Sequence, residues 1–372
     1  MKFAIFTSVE HKEKEGLFYG YAPYIAEMNM WTTYADEIIV VGLKSKSKAL
    51  TPIDKAYNHP KVTFVEVPSF NIKSLGALLR TMLIFPKSAY KMFKVMRTAD
   101  HFHFRCPCNV SAMASVVQIL FPSKKKTVKY AGNWRPRSNQ PIGYRFQKRV
   151  FSNTFLSKNI KVLVYGEWPN QTKNVVPFMS ATYTNAERIP FEKKNYDGVL
   201  NFVFIGSLVI GKRPMYTIEI IEALIEKGVH CELHMYGDGN LKAELEDYVH
   251  VKNLDDKIFI YGNQSKAVIK NAVQNAHFTI LPSKSEGWPK AIAEGMFYGA
   301  IPISTRISCL EWILGEGQRG ILIDTNLEDA VKEIMKALNK ADLHDMSKKA
   351  LDWAQQYTLE RLNLEMQKTL DL

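Results

Sequence analysis

Short runs of β-branched and apolar residues alternate with longer amphipathic stretches along almost the whole chain, and few folds accept that rhythm. In the first half, KFAIFTSV precedes a helical stretch at Ala22–Tyr34; EIIVVG, KVTFVEV, HFHF, TVKYA and KVLVYG follow, with a helix of small and apolar residues at Asn109–Leu120. Strand–helix–strand crossovers favour parallel pairing, so this half predicts one doubly wound sheet covered on both faces. The second half repeats the series as NFVFIGS, CELHMYG, KIFIYG, FTILPS, IPISTR and ILID, with helices predicted at Met215–Lys227, Asn240–Val249, Lys266–Asn275 and Pro289–Tyr298. Between the halves, the chain after Val175 is polar, carries two prolines and shows neither period 2 nor period 3.6, which marks an interdomain connection. The expected organisation is α/β, with one doubly wound domain over residues 1–182, a linker at 183–198, a second such domain at 199–345 and a terminal helix at 346–372. The two domains are expected to face each other across a cleft.

A length of 372 residues suits two domains, and 46% hydrophobic with 23% charged residues excludes disordered, collagenous and disulfide-scaffold chains. The charge is uneven: residues 1–190 hold 28 basic and 11 acidic side chains, a net of +17, while residues 191–372 hold 21 and 26, a net of −5. A polyanionic partner for the first half is implied, whether membrane leaflet, nucleic acid or phosphorylated substrate. Four cysteines do not make a disulfide framework in a chain this long, and MKFAIFTSVE reads as a first buried strand rather than a secretory leader. The apolar run Val110–Phe121 is shorter than the ~18 residues a membrane span needs. The expected location is the cytoplasm, with peripheral attachment to the inner membrane face open.

In open α/β sheets ligands bind outside the carboxyl ends of the strands, so the strand-to-helix loops carry the functional expectations. In FTILPSKSEGWPKAIAEGMFYGAIPIS a strand leads through a polar loop with Glu286, Gly287 and Trp288 into a helix expected to start with Pro289 at its first position, followed by Lys290. Its free N–H groups favour an anion, the glycine permits close approach, and Glu294 follows one and a half turns into the helix. Carboxylates on either side of an anion site need hydroxyls to hold. A nucleotide-sugar supplies them, with the sugar at Glu286, the diphosphate at the helix start and the ribose diol at Glu294. The plainer alternative is a crossover with two solvated glutamates.

The pattern Glu286, Gly287, Pro289, Glu294, Gly295, Gly299 and Pro302 resembles the E-x7-E signature of retaining glycosyltransferase family 4, whose fold is GT-B. The similarity extends over roughly residues 198–345. It implies two Rossmann-like domains and a last helix crossing back onto the first. It also implies transfer of a sugar from a UDP- or GDP-sugar to an acceptor hydroxyl with retention, without a metal or other cofactor. Members usually place a Gly-Arg pair and a nearby Lys on the donor diphosphate. Here Lys212 matches the lysine, Ser207 stands at the arginine position, and Arg213 is the substitute cation, since a leaving diphosphate without metal needs two. Base contacts are expected near Gly237, Asp238, Tyr261 and Gly262, and Trp288 beside Glu286 is expected to help read the sugar. A glycine-rich loop after the first strand points to Gly16 and, less directly, Tyr19. The family histidine has no counterpart after TVKYA, where Ala131, Gly132, Asn133 and Trp134 stand. Asn133, Trp134, Arg135, His103 and Arg105 are the acceptor candidates.

HFHFRCPC admits a metal reading, yet its spacing fits a strand ending at a loop better than a zinc site. No Asp-x-Asp follows a strand, so the metal-dependent transferase design lacks its ligands. The basic set Lys124, Lys125, Lys126, Lys129, Arg135, Arg137, Arg145, Lys148 and Arg149, with the apolar-basic stretch Leu75–Met96, fits an anionic leaflet or a buried amphipathic helix with snorkelling lysines. The expected partners are a nucleotide-sugar and a saccharide acceptor on a polyprenyl diphosphate, in surface-polysaccharide assembly. No nucleic-acid motif accompanies the charge. A phosphorylase-like enzyme and a nucleic-acid-binding protein on an inactive scaffold stay open as alternatives.

Overall fold

The structure, a computed structural model, describes residues 1–70, 75–340 and 342–371. Close contacts divide the chain into a first unit, Met1–Phe178 with Asn363–Leu372, and a second, Met179–Leu362. The first unit runs β1 (Lys2–Lys14), β2 (Leu17–Tyr21), α1 (Ala22–Thr32), β3 (Glu37–Lys44), β4 (Asp54–Ala56), β5 (Val62–Glu66), α2 (Leu75–Thr98), β6 (His101–Cys106), α3 (Asn109–Val117), β7 (Lys125–Tyr130), α4 (Ile142–Ser152), β8 (Ile160–Tyr165) and β9 (Val175–Phe178). The second runs β10 (Leu200–Ile205), α5 (Pro214–Glu226), β11 (Cys231–Tyr236), α6 (Lys242–Val251), β12 (Ile258–Ile260), α7 (Lys266–Asn275), β13 (Phe278–Leu281), α8 (Lys290–Phe297), β14 (Ile301–Thr305), α9 (Leu310–Ile313), β15 (Ile321–Ile323), α10 (Leu327–Lys340) and α11 (Leu343–Ala354). Helix α12 (Leu359–Leu370) begins in the second unit and ends in the first.

Both sheets are parallel and doubly wound. In the first unit the order is β5-β3-β1-β6-β7-β8-β9, with the antiparallel strands β2 and β4 added to the far end of β1. The second orders β12-β11-β10-β13-β14-β15. Strands covered on both faces must be apolar throughout, and Phe3–Phe6 and Phe202–Phe204 are accordingly buried. No helix among the described residues is long and apolar enough to cross a membrane.

Several expectations change. The polar stretch that follows Val175 opens with an edge strand: β9 pairs with β8 inside the first domain, Val162 with Val175 and Tyr165 with Phe178. Of the terminal segment expected to leave the second domain, α11 stays there, packed on α8, with Ser347 Oγ donating to the Gly299 carbonyl at 2.6 Å. Only residues 363–371 join the first unit, through Gln367 Nε2 to Tyr34 Oη at 2.6 Å and Lys161 to Asp371 at 2.7 Å. Two members of the basic set are interior: Lys126 donates to the Lys158 carbonyl at 2.7 Å, and Lys129 lies over the Tyr165 and Phe178 rings. Helix α2 divides its faces, burying Met92 and Met96 while Leu79, Met82 and Leu83 are exposed.

Helix α8 crosses β13 so closely that a Cβ on Gly295 would stand 2.3 Å from Thr279 Cγ2 and 2.4 Å from its Oγ1. Gly295→Ala is therefore expected to destabilise by about 1–3 kcal/mol through overpacking. In a Thr279→Ala background the same change should cost clearly less, which denaturant titration of the four proteins checks. Equal costs in both backgrounds would place the strain elsewhere.

Candidate functional site

With strand order 3-2-1-4-5-6, the second sheet reverses its winding between β10 and β13, and right-handed crossovers there diverge to opposite faces. Residues 206–213 after β10 and 282–289 after β13 line that gap. Lys284 N–H donates to the Gly211 carbonyl at 2.8 Å, tying the two loops. They bring Lys212 Nζ to 2.5 Å from Glu286 Oε1. The carboxylate is buried and the ammonium partly exposed. Lysine carries three donors, so the Lys212 head retains capacity on its open side after bonding Glu286.

The β13 loop is held from the strand beyond it. Ser308 Oγ accepts from the Glu286 N–H at 3.1 Å and donates to the Glu286 carbonyl at 2.5 Å. Thr305 Oγ1 donates to the Ser283 carbonyl at 2.8 Å, and Cys309 Sγ lies 3.2 Å from the Gly287 carbonyl. Thr305, Ser308 and Cys309 were not singled out from the sequence, since lone hydroxyls and a thiol at the end of a strand carry no spacing signal. The β10 loop is locked by backbone alone. Leu208 N–H donates to the Asp238 carbonyl at 2.9 Å, Gly206 N–H to Tyr236 at 3.0 Å and Gly237 N–H to Gly262 at 2.9 Å. Gly237 has φ +138°, and a Cβ there would stand 1.9 Å from the Gly206 carbonyl oxygen. The segment therefore requires glycine for both conformation and space.

Ser207, Lys212, Arg213, Gly237, Asp238, Gly262, Glu286 and Gly287 thus share the carboxyl edge of one sheet. Ser207 and Asp238 are exposed, and Arg213, at φ +54°, caps α5 with its guanidinium 5.8 Å from the Tyr216 ring centroid. Tyr261 stacks on Tyr236 at 4.9 Å and meets His234 Nδ1 at 3.0 Å, and desolvation raises its phenol pKa. Pro289 is the cap of α8 rather than its first residue, because its ψ of 81° is not helical. Lys290 opens the helix and is exposed. Trp288 is not a free platform for sugar: it packs into an aromatic cluster with Trp312, Trp353 and Tyr357, 8% exposed. Glu294 accepts from Thr182 Oγ1 at 2.8 Å, beside a crevice lined by Trp288 and Tyr357, and burial raises its pKa.

The first-unit candidates do not assemble in this way. The strand expected to end before Gly16 continues to Lys14, and Glu15 and Gly16, at φ +53° and +75°, form a two-residue hairpin turn into β2. The expected phosphate loop is therefore a β-hairpin, with Tyr19 in its second strand. His103 is interior: its Nδ1 meets Thr127 Oγ1 at 2.8 Å, its ring packs on Phe3 and Trp31, and desolvation holds its pKa well below the usual value. A side chain so enclosed cannot touch an acceptor. Trp134 is buried too, bonded to Gln171 at 2.9 Å with Lys148 over its ring. Arg105 pairs with Glu27 at 3.2 Å. Asn133 Oδ1 accepts from the Arg135 N–H at 2.8 Å and shapes its own loop, leaving Arg135 half-buried. Among the described residues no three His, Cys, Asp or Glu side chains converge on a metal site.

Against known proteins, residues 185–353 match the family model of glycosyl transferases group 1. An uncharacterized glycosyltransferase of Methanocaldococcus jannaschii is 26% identical over 178 residues, 47% of this chain and 49% of that protein. The UDP-Gal:alpha-D-GlcNAc-diphosphoundecaprenol alpha-1,3-galactosyltransferase of Escherichia coli is 26% identical over 151 residues, 40% and 38% of the two chains. The chain thus spans half or less of the length of these curated relatives. The lipopolysaccharide outer core galactosyltransferase WaaB, in its apo form, superposes with a TM-score of 0.68 over 100% of this chain and 99% of that one, at 15% identity. The fold is GT-B. Residues 185–353, most of the second unit, are the part of the chain that resembles the group 1 glycosyl transferases.

Two measurements probe the site. Lys212→Ala strands a buried carboxylate and is expected to cost about 1–3 kcal/mol. Adding Glu286→Gln should recover part of that loss, so the double variant falls short of the sum of the singles in a denaturation cycle. For Glu294, the folded protein holds its proton more tightly than the unfolded chain. Ionisation therefore subtracts stability as pH rises through 4.5 toward the raised value, and the loss persists above it. Glu294→Gln should be at least as stable as wild type at pH 7, with the difference shrinking below about pH 4.5. A wild type that gains on the variant as pH rises would contradict this.

Proposed function

We propose that the protein is a retaining, metal-independent hexosyltransferase that moves a sugar from a UDP- or GDP-sugar to a hydroxyl of a saccharide acceptor in cell-surface polysaccharide assembly, at the cytoplasmic face of a membrane. The observation that carries the reading is the Lys212–Glu286 pair at the point where the second sheet reverses, one cation and one carboxylate on loops locked by backbone contacts. The second unit takes the donor and the first the acceptor. The name of the Escherichia coli relative, with a UDP-sugar donor and a diphosphoundecaprenol acceptor, supports the same assignment.

In this reading Lys212 bridges Glu286 and the donor diphosphate, and Arg213 supplies the second positive charge. The bond from the anomeric carbon to the diphosphate oxygen breaks, and the acceptor oxygen bonds that carbon from the same face. The acceptor proton passes to the departing phosphate oxygen, so no side chain acts as base. Glu286 orients the sugar and offsets positive charge developing on its ring. A covalent glycosyl–Glu286 intermediate is the lesser variant, which trapping would reveal.

A thermal-shift series with UDP, GDP, dTDP, ADP and CMP, with and without EDTA, tests the donor half. Stabilisation by one nucleoside diphosphate, unchanged by EDTA and reduced in Lys212→Ala, is expected. With that donor, Lys212→Ala should lower kcat by about 10²–10³-fold while the protein stays folded. NMR of the product should show the donor's anomeric configuration. No response to any nucleotide would sink the proposal; a response to inorganic phosphate alone would favour a phosphorylase, and salt-dependent duplex binding a nucleic-acid protein.

A further inference from the structure

Residues 67–166 hold 18 lysines and arginines and one acidic side chain, Asp100, which accepts from the Lys2 N–H at 2.7 Å. Within that stretch four cations converge. The loop after β7 and the side of α4 enclose a pocket of about 260 Å³ lined by Arg137, Ser138, Gln140, Arg145, Lys148 and Arg149. That is near the lower end of small-molecule sites, a size suited to a phosphate or diphosphate. Arg145 and Arg149 stand one turn apart with Lys148 beside them, a like-charge arrangement that destabilises a helix unless an anion relieves it. Among the described residues no carboxylate pairs with these three or with Arg137.

The pocket is built rather than incidental. Gln140 Nε2 donates to the Asn133 carbonyl and, at 2.9 Å, to Ser138 Oγ, and its Oε1 accepts from Tyr130 Oη at 3.0 Å. Lys148 Nζ is set by the Trp134 carbonyl at 2.8 Å and the indole face at 4.6 Å, and desolvation lowers its pKa to about 8. Two ammonium donors remain for a ligand, and the guanidinium forks match phosphate oxygens. The same face of α4 exposes Ile142, at 77%, and Phe146, at 43%, interleaved with Arg145 and Arg149. Cations that alternate with bare apolar side chains fit an amphiphile better than a nucleic acid, whose phosphates carry no alkyl chain.

We propose that this pocket is a binding site for a phosphoryl group carried on a lipid, held by Arg137, Arg145, Lys148 and Arg149 with Ile142 and Phe146 against the chain. Its assignment to a lipid-linked acceptor rests on the transferase reading above; binding of the phosphoryl group does not.

Calorimetric titration of the full chain with inorganic pyrophosphate and farnesyl diphosphate tests it. Arg145→Ala/Arg149→Ala should weaken both at least tenfold, while Lys46→Ala/Lys48→Ala, an equal charge loss on exposed residues of the same unit, and Lys212→Ala should keep them. Displacement of farnesyl diphosphate by phosphatidylglycerol vesicles would make a bilayer headgroup the source; no displacement would make it a prenyl diphosphate, and either outcome supports the site. Binding lost in Lys212→Ala and kept in Arg145→Ala/Arg149→Ala would put the diphosphate in the donor site and overturn the proposal without touching the transferase reading. Equal affinities in all variants, or no binding, would also overturn it. Binding that depends on Arg145 and Arg149 beside a flat nucleotide series would do the reverse, sinking the transferase and leaving the pocket.

Discussion

The gap left where the crossovers from β10 and β13 diverge is the constraint from which the second unit's chemistry follows. Loops that end strands on either side of that gap must satisfy their own backbone groups, and here they do so with one another. Gly206 bonds Tyr236, Leu208 bonds Asp238, Gly237 bonds Gly262, and Lys284 bonds Gly211. This lattice sets the two loops rigidly enough to hold a carboxylate out of water, and Lys212 then has to meet it. Ser308, bonded to both backbone groups of Glu286, fixes the main chain that carries the carboxylate. A site assembled this way needs little from side-chain flexibility, which suits electrostatic catalysis with preorganised charges.

The first unit is governed by a different imbalance. Its sheet interior is apolar, so its excess of cations must be borne by loops and helix faces or be buried at a cost. Lys126 and Lys129 take the second course: a carbonyl receives one, aromatic faces the other, and burial brings Lys126 down to about 8. His101 and His103 share the hydroxyl of Thr127, with desolvation keeping both neutral at physiological pH. Arg137, Arg145, Lys148 and Arg149 meet no carboxylate among the described residues, and the proposed lipid-phosphate site rests on that asymmetry.

The histidines show where linear reasoning fails. HFHFRC was legible as a strand running toward the functional edge of the sheet, but alternation cannot say how far below that edge a given side chain lies. His103 aligns with Ile5 of β1 and Thr127 of β7, in the middle of the sheet. Trp134 and Trp288 misled for the same reason. An aromatic next to a polar loop looks available in sequence, yet its large apolar surface is more stable packed away, against Tyr130 in one case and three other rings in the other.

By itself the sequence determined the alternation of strands and helices, the two parallel sheets and the family-4 motif around Glu286, because period-2 and period-3.6 patterns and glycine spacing are local properties of a chain. Lys212 and Glu286 were both recognisable, each on its own loop. Only the tertiary structure decided that they form a pair, that Gly16 sits in a hairpin and Glu294 on Thr182, and that Arg137, Arg145, Lys148 and Arg149 enclose one pocket. Each of these depends on strand order and on the depth of a side chain below the sheet edge, and both are properties of packing across the whole unit that no spacing along the chain records.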